Sequence, residues 1–209
     1  MKKILIATAI CLSLASSISI NAANYNDQLF DYEKKARLGD EQMQYKLGLI
    51  FEFGIKTRKE RNEARSWYLK ADKQGVIRAT TRLGVMAYED KEYSEALKYL
   101  KKAALQNEPL SIVYLGKNAL RLNNIEEAES FFKKAMESGN SQAYYEYGIL
   151  EGDYRKNNYL GYIYTKLSEV NGYSNSVEKN KEYKKGLSST QIYSANDRIK
   201  RTQNLLNNK

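Results

Sequence analysis

Apolar residues recur three and four positions apart along most of the chain, in blocks of two kinds that alternate. In the first kind, Met43, Leu47 and Ile50, or Ala79, Leu83 and Ala87, mark one face of a helix. The second sets bulky residues between alanines: Ala64, Trp67, Tyr68 and Ala71, then Ala96, Tyr99, Leu100 and Ala103, then Ala128, Phe131, Phe132 and Ala135. The pattern predicts a helix A followed by a helix B, repeated, with one large residue and two alanines per helix B letting neighbours interdigitate. Essentially no strand is expected.

Glycines mark the same alternation. Gly48, Gly84, Gly116 and Gly148 each lie nine residues after a closing mark, Gly39, Gly75, Asn107 and Gly139, and a fifth mark stands at Gly172. Trp67, Tyr99, Phe131 and Tyr164 each precede a closing mark by eight residues. Only the middle varies, so units of 36, 32, 32 and 33 residues differ in the A-to-B turn alone. Turns absorb changes of length that packed helices do not. A glycine inside a helix costs about 1 kcal/mol against alanine, so four at one position imply close backbone approach between helices. The closing marks follow a helical run and suit the left-handed residue that ends a helix, a place where Asn107 is also tolerated.

These marks divide the chain into an N-terminal capping helix (23–39), four repeats (40–75, 76–107, 108–139 and 140–172) and C-terminal capping helices (173–209). Asp27 to Leu38, with Leu29, Tyr32 and Ala36, reads as the lone helix that covers the first repeat. Ser188 and Gln191 have capping-box spacing and start a last helix through Ile192, Ala195, Ile199 and Leu205.

Residues 1–22 read differently. Lys2 and Lys3, an apolar run from Ile4 to about Ala15 and a small-residue exit at Ala22 and Ala23 resemble a secretory signal peptide. The run is shorter than the ~20 residues that span a membrane, so an exported, periplasmic chain is expected after cleavage. Cys11 lies inside it, and the remainder would have no disulfide and no thiolate metal site. Without Lys2 and Lys3 the 34 basic residues become 32 against 25 acidic, a formal charge of +7 spread along the chain. Such an excess suits a solvated surface and favours an acidic protein partner or an anionic envelope surface.

The repeated residues also carry a resemblance. Gln44-Tyr45-Lys46-Leu47-Gly48 with Phe51 and Gly54, then Glu63-Ala64 through Trp67-Tyr68-Leu69-Lys70-Ala71 to Gln74-Gly75, form the fullest copy. Arg82-Leu83-Gly84 with Glu95-Ala96, Tyr114-Leu115-Gly116 with Glu127-Ala128, and Tyr147-Gly148 follow. In these motifs the chain resembles the Sel-one-like repeat proteins, relatives of the tetratricopeptide solenoids. The fold class that the resemblance implies is all-α, a right-handed α/α solenoid superhelix of about four helix pairs with N- and C-terminal capping helices. Its 32-residue units are shorter than the family's usual ones, and the cysteine pairs of the disulfide-rich secreted branch are absent. The family implies a binding scaffold rather than a catalyst. Some members resembling this one are immunity proteins that neutralise type VI secretion effectors, lipases included, and a secreted toxin or effector is the partner such a role implies.

Candidate chemistry narrows the function further. The sequence has no histidine, which removes the commonest general base and metal ligand, and with them Ser-His-Asp and Cys-His nucleophile systems. Glu126, Glu127 and Glu129, and Glu151 with Asp153, read as solvated helix ends. No enzyme, cofactor, metal site or nucleic-acid partner is expected. In tetratricopeptide-like stacks helix A lines the concave face, and the residues there point to another protein as partner. They are Lys46 and Phe53, Arg78, Arg82 and Glu89, Tyr114, Lys117 and Arg121, and Glu146 and Asp153. That stripe begins basic and ends acidic, which would orient a polar partner. Of the 18 tyrosines, Tyr45, Tyr68, Tyr99, Tyr145, Tyr147 and Tyr164 read as core, whereas Tyr25, Tyr154, Tyr159, Tyr173, Tyr183 and Tyr193 lie off the repeat and include exposed ones. The alternative is a basic envelope-associated protein in which Lys179, Lys181, Lys184, Lys185, Lys200 and Arg201 bind anionic lipid or polymer, a membrane-surface contact without a membrane span.

Overall fold

The computed structural model describes residues 28–55 and 57–207. Residues 1–22, read from sequence as a signal peptide, and Tyr25 lie outside the described residues. Everything regular within them is helical: α1 (28–37), α2 (Glu41–Phe53), α3 (Arg61–Lys73), α4 (Ile77–Glu89), α5 (Tyr93–Ala104) and α6 (Pro109–Arg121). Then come α7 (Ile125–Glu137), α8 (Ser141–Ile149) running into a π turn (Leu150–Tyr154), α9 (Asn158–Val170), α10 (Ser176–Lys185) and α11 (Ser189–Asn207). The fold is all-α, in helix pairs, with no strand among the described residues. The described residues form two compact units, the first ending at Ala79 and the second beginning at Thr80.

In the first unit α2 packs against α3, and Leu47, Ile50 and Trp67 bury together with Ala36 of α1. Leu29 and Tyr32 close over this cluster, as the spacing of the capping helix requires. A polar clasp joins the three helices. Gln74 donates to the Gly39 carbonyl and to Gln44 Oε1, and the buried Gln44 donates in turn to the Ala36 carbonyl. Buried amides need such partners, because each unmet group costs about 1–3 kcal/mol.

The second unit repeats one packing rule. A Cβ on Gly84 would come within 2.9 Å of Leu100, on Gly116 within 2.5 Å of Phe132, and on Gly148 within 2.8 Å of Thr165. In the first unit Gly48 meets Tyr68 in the same way, at 2.3 Å. The residue facing each glycine is thus the one after the aromatic mark. The marks themselves are less deeply placed: Trp67 is buried, while Tyr99, Phe131 and Tyr164 are only half-buried. Among the tyrosines read as core, Tyr68 and Tyr147 are buried, and Tyr45, Tyr99, Tyr145 and Tyr164 are half-buried.

Helix ends follow the sequence closely. The closing marks take positive φ, for example 73° at Gly139 and 55° at Asn107, which an asparagine tolerates at modest cost. The next residue caps the following helix: Asp40 accepts from the Met43 amide, Glu108 from Ser111 and Asn140 from Ala143. The capping box at α11 forms, with Gln191 Oε1 accepting from the Ser188 amide and Ser188 Oγ from the Gln191 amide. Further along α11, Ala195 and Ile199 are buried but Leu205 is exposed, and Leu206 packs in its place.

The fourth helix pair departs from the pattern. Helix α8 ends in a π turn that carries Gly152, and α9 carries Gly161 in its first turn. The Tyr183 ring of α10 lies against both, 2.3 Å from where a Gly152 Cβ would be and 3.0 Å from that of Gly161. Its hydroxyl donates to Asp153 Oδ1 at 2.7 Å. Off the repeat, Tyr183 is therefore core, because two glycines leave it a slot. Glu151 is also buried rather than solvated, held by Arg155 at 2.7 Å, and Arg155 reaches across to Glu129 of α7. Lys133 lies 2.6 Å from Glu129 as well, and hydrogen bonds from Arg155 and Lys133 hold the Glu129 carboxyl down at about 2.

Two measurements test this packing. Gly116→Ala gains about 1 kcal/mol of helix propensity, yet the fully buried Phe132 cannot move aside and overpacking costs about 1–3 kcal/mol. Its urea midpoint is expected to fall, and a raised midpoint would contradict the close approach. A depressed carboxyl contributes stability above its unfolded pKa of about 4.3 and loses it as pH drops through the folded value. The wild type should therefore lose stability between about pH 4 and the folded value near 2. Glu129→Gln should flatten that limb; an identical pH profile would count against the network.

Candidate partner-binding face

Four helical segments of the second unit converge on one groove. Helix α4 supplies Tyr88, α6 supplies Lys117, Leu120 and Arg121, α8 supplies Glu146 and Ile149, and the π turn supplies Tyr154, with the buried Tyr114 behind Tyr88 and Lys117. The cavity they line measures about 280 Å³. One helical turn separates Tyr114 from Lys117 and Lys117 from Arg121, so α6 presents all three on a single face.

Tyrosine rings build one wall. Tyr88 meets Tyr114 edge-on with centroids 5.3 Å apart, and Tyr93 at the start of α5 meets Tyr88 at 5.5 Å. Burial raises both the Tyr88 and the Tyr114 hydroxyl pKa, with nearby Lys117 opposing. These phenols stay neutral at physiological pH.

The charges are not equivalent. Lys117 Nζ lies 3.0 Å from Glu146 Oε1 and 4.9 Å from the Tyr114 ring centre. Burial disfavours its ammonium, but the Glu146 charge and hydrogen bond outweigh that and raise its pKa. Arg121 is exposed and stacks over the Tyr93 ring at 3.9 Å. Its Nε and Nη2 both donate to the side-chain oxygen of Asn118, at 3.3 and 3.1 Å. A neutral amide orients this guanidinium without cancelling its charge.

Comparison with known proteins follows from this arrangement of helix pairs. No family profile matches the chain. A sel1-like repeat-containing protein, L21, of Acanthamoeba polyphaga mimivirus is 30% identical over 126 residues, 58% of this chain and 24% of its own length. Over 80% of this chain and 38% of the other, the structure resembles c5321, a protective antigen of uropathogenic Escherichia coli displaying an SLR fold. The TM-score is 0.64 and the identity 26%. The chain is similar to Sel1-like repeat proteins in both sequence and fold. A Sel1 repeat protein from Oxalobacter formigenes shares the fold at TM-score 0.54 and 20% identity, over 85% of this chain and 64% of that one. The chain thus spans about a quarter of the viral relative and under two-fifths of the antigen.

The structure distributes the stripe residues unevenly across the Sel1-like repeats. Lys117, Arg121 and Glu146 come together in the groove, whereas Tyr114 is buried in the core behind Lys117. Arg82 and Glu89 of α4 belong to the same unit; Arg82 is half-buried and Glu89 exposed. Asp153 turns the other way, to Tyr183 and to Lys179 at 3.0 Å, so its charge is spent on α10. Val85, on the same helical stripe, is buried in the core. Lys46, Phe53 and Arg78 lie in the first unit, all three exposed, with Lys46 over the Tyr32 ring at 5.5 Å.

Tyr88, Leu120, Ile149 and Tyr154 of the lining, and Tyr93 and Asn118 beside Arg121, were not singled out as site residues. Tyr93 sits on helix B, and nothing in the repeat spacing places a helix-B start beside the next helix A. Asn118 falls on the side of α6 that the periodicity assigns to core, where an asparagine is the one signal available.

Removing one partner of the Lys117–Glu146 pair tests its worth. A fully buried pair broken on one side costs about 3–5 kcal/mol, but the Lys117 side chain is 27% exposed. Lys117→Met should therefore cost about 1–3 kcal/mol in urea denaturation. Adding Glu146→Gln should recover most of that loss; additive losses would show that the two charges are uncoupled.

Proposed function

We propose that the chain is a non-enzymatic scaffold that docks another protein on the face formed by α4, α6 and α8. The carrying observation is a groove with an aromatic wall and an ordered, uncancelled guanidinium, in a fold commonly used as a protein-interaction scaffold. Tyrosine and arginine are favoured at interfaces because they offer area, polar tips and little loss of flexibility on binding. The absence of histidine supports a non-catalytic role. Among the described residues no cluster of three His, Cys, Asp or Glu side chains is placed to hold a metal.

The chain acts, on this reading, in the periplasm as an immunity protein for a secreted effector, type VI lipase effectors included. Support comes from the signal-like residues 1–22 and the family resemblance. Among the described residues no helix is long and apolar enough to cross a membrane. The rival reading, binding to anionic lipid or polymer, draws less support. Lys179 is paired with Asp153 and Glu182, Lys181 with Glu178 and Arg201 with Asp197, so much of the basic C-terminal segment is already balanced.

Charge reversal checks the docking face. Arg82→Glu with Arg121→Glu should abolish co-purification of the partner from cell-envelope extract at moderate salt while far-UV circular dichroism stays unchanged. Undiminished recovery by the folded variant would sink the proposal. Co-production with a toxin-like protein from a neighbouring reading frame tests the immunity role, with restored growth expected and continued killing the contrary result.

A further inference from the structure

Of the groove's two cations, only one is available to an occupant. Glu146 answers Lys117 at 3.0 Å, whereas Arg121 has an amide oxygen and a tyrosine face as its partners. Stacking on Tyr93 and the two bonds to Asn118 fix the plane of the guanidinium before anything binds. Arg121 carries five donor hydrogens and uses one on Nε and one on Nη2 toward Asn118, which leaves the two on Nη1 and the second on Nη2, an end-on fork, for an acceptor in the groove. An ordered fork of this kind is matched by a planar carboxylate, and little rotamer entropy remains to be lost. Around it lie Ile149, Leu120 and the rings of Tyr88 and Tyr154, the last with almost half its surface in solvent.

We infer that this groove reads an internal acidic side chain, Asp or Glu, lying next to a large apolar residue in an extended segment of the partner protein. The carboxylate meets Arg121, and the apolar neighbour lies against Ile149 and Tyr154. A phosphate fits less well, since its charge of about −1.5 to −2 would face Glu146 with a single uncommitted cation. A chain-terminal carboxylate has the same charge as a side chain but must end at the groove, whereas an internal residue lets the chain run on past the exposed Tyr154. This inference rests on the docking face proposed above and specifies what it recognises.

Selection of a randomised peptide-display library on the full chain tests it. Peptides displayed internally should be enriched in Asp or Glu beside Leu, Ile, Phe or Tyr. For a selected peptide, replacing that acid by its amide should weaken binding about tenfold in fluorescence anisotropy, in line with a charged hydrogen bond. Arg121→Gln should erase the preference for the acid. Arg121→Lys, which keeps the charge but not the fork, should retain only part of it, and Tyr93→Leu should reduce it with helicity unchanged.

Enrichment without acids, a preference untouched by Arg121→Gln, or no peptide binding at all would overturn the inference. Enrichment confined to a second library with free C-termini would do so too, as would sedimentation showing that Arg121 holds two copies of the chain together. If envelope extract yields a partner that Arg82→Glu with Tyr88→Ser releases but Arg121→Gln does not, the docking face stands and the acidic occupant falls.

Discussion

A backbone without a side chain sets how closely each helix A can approach its helix B. At Gly48, Gly84, Gly116 and Gly148 the facing side chain occupies the volume a Cβ would need, and protein interiors leave no slack to accommodate both. The facing residue changes from Tyr68 to Leu100, Phe132 and Thr165, so each pair is fitted individually around one shared rule. Once that face of helix A is committed inward, the residues one turn around it are presented outward. The placement of Lys117 and Arg121 is therefore a by-product of Gly116 as much as of their own chemistry.

Where Thr165 replaces a large residue, the fourth pair is tied down by polar contacts instead. The Thr165 hydroxyl donates to the Gly161 carbonyl at 2.7 Å and accepts from Asn180 of α10 at 3.2 Å, while Asn180 also donates to the Tyr162 carbonyl. All of these atoms are buried. A satisfied buried network holds one geometry and penalises its alternatives, which suits a junction between repeating and non-repeating helices.

The fold was legible because its signals are local and periodic. Closing marks, helix-A glycines and the Ser188–Gln191 box each depend on residues within one or two turns, and the structure places them as the spacing implies. The candidate site was legible only in outline, since periodicity assigns a residue to a face but is silent about its neighbour across helices. Glu146 meets Lys117 from another helix, and Asp153 is claimed by Tyr183 and Lys179. Formal charge counted along the sequence treated all of these as available. Tyr183 has no position in the repeat spacing for a related reason: the slot that buries it is made by Gly152 and Gly161, two glycines outside the repeat series.

That slot bears on how such an array can change its number of repeats. Copying a unit between α7 and α8 would join like to like, since each interior boundary offers a left-handed residue followed by a helix start. A copy inserted after α9 has no such freedom, because the surface it would need is already filled by one aromatic ring seated between two glycines. An added repeat would therefore fit between interior units but not after α9, where the π turn, its two glycines and α10 form one packed piece.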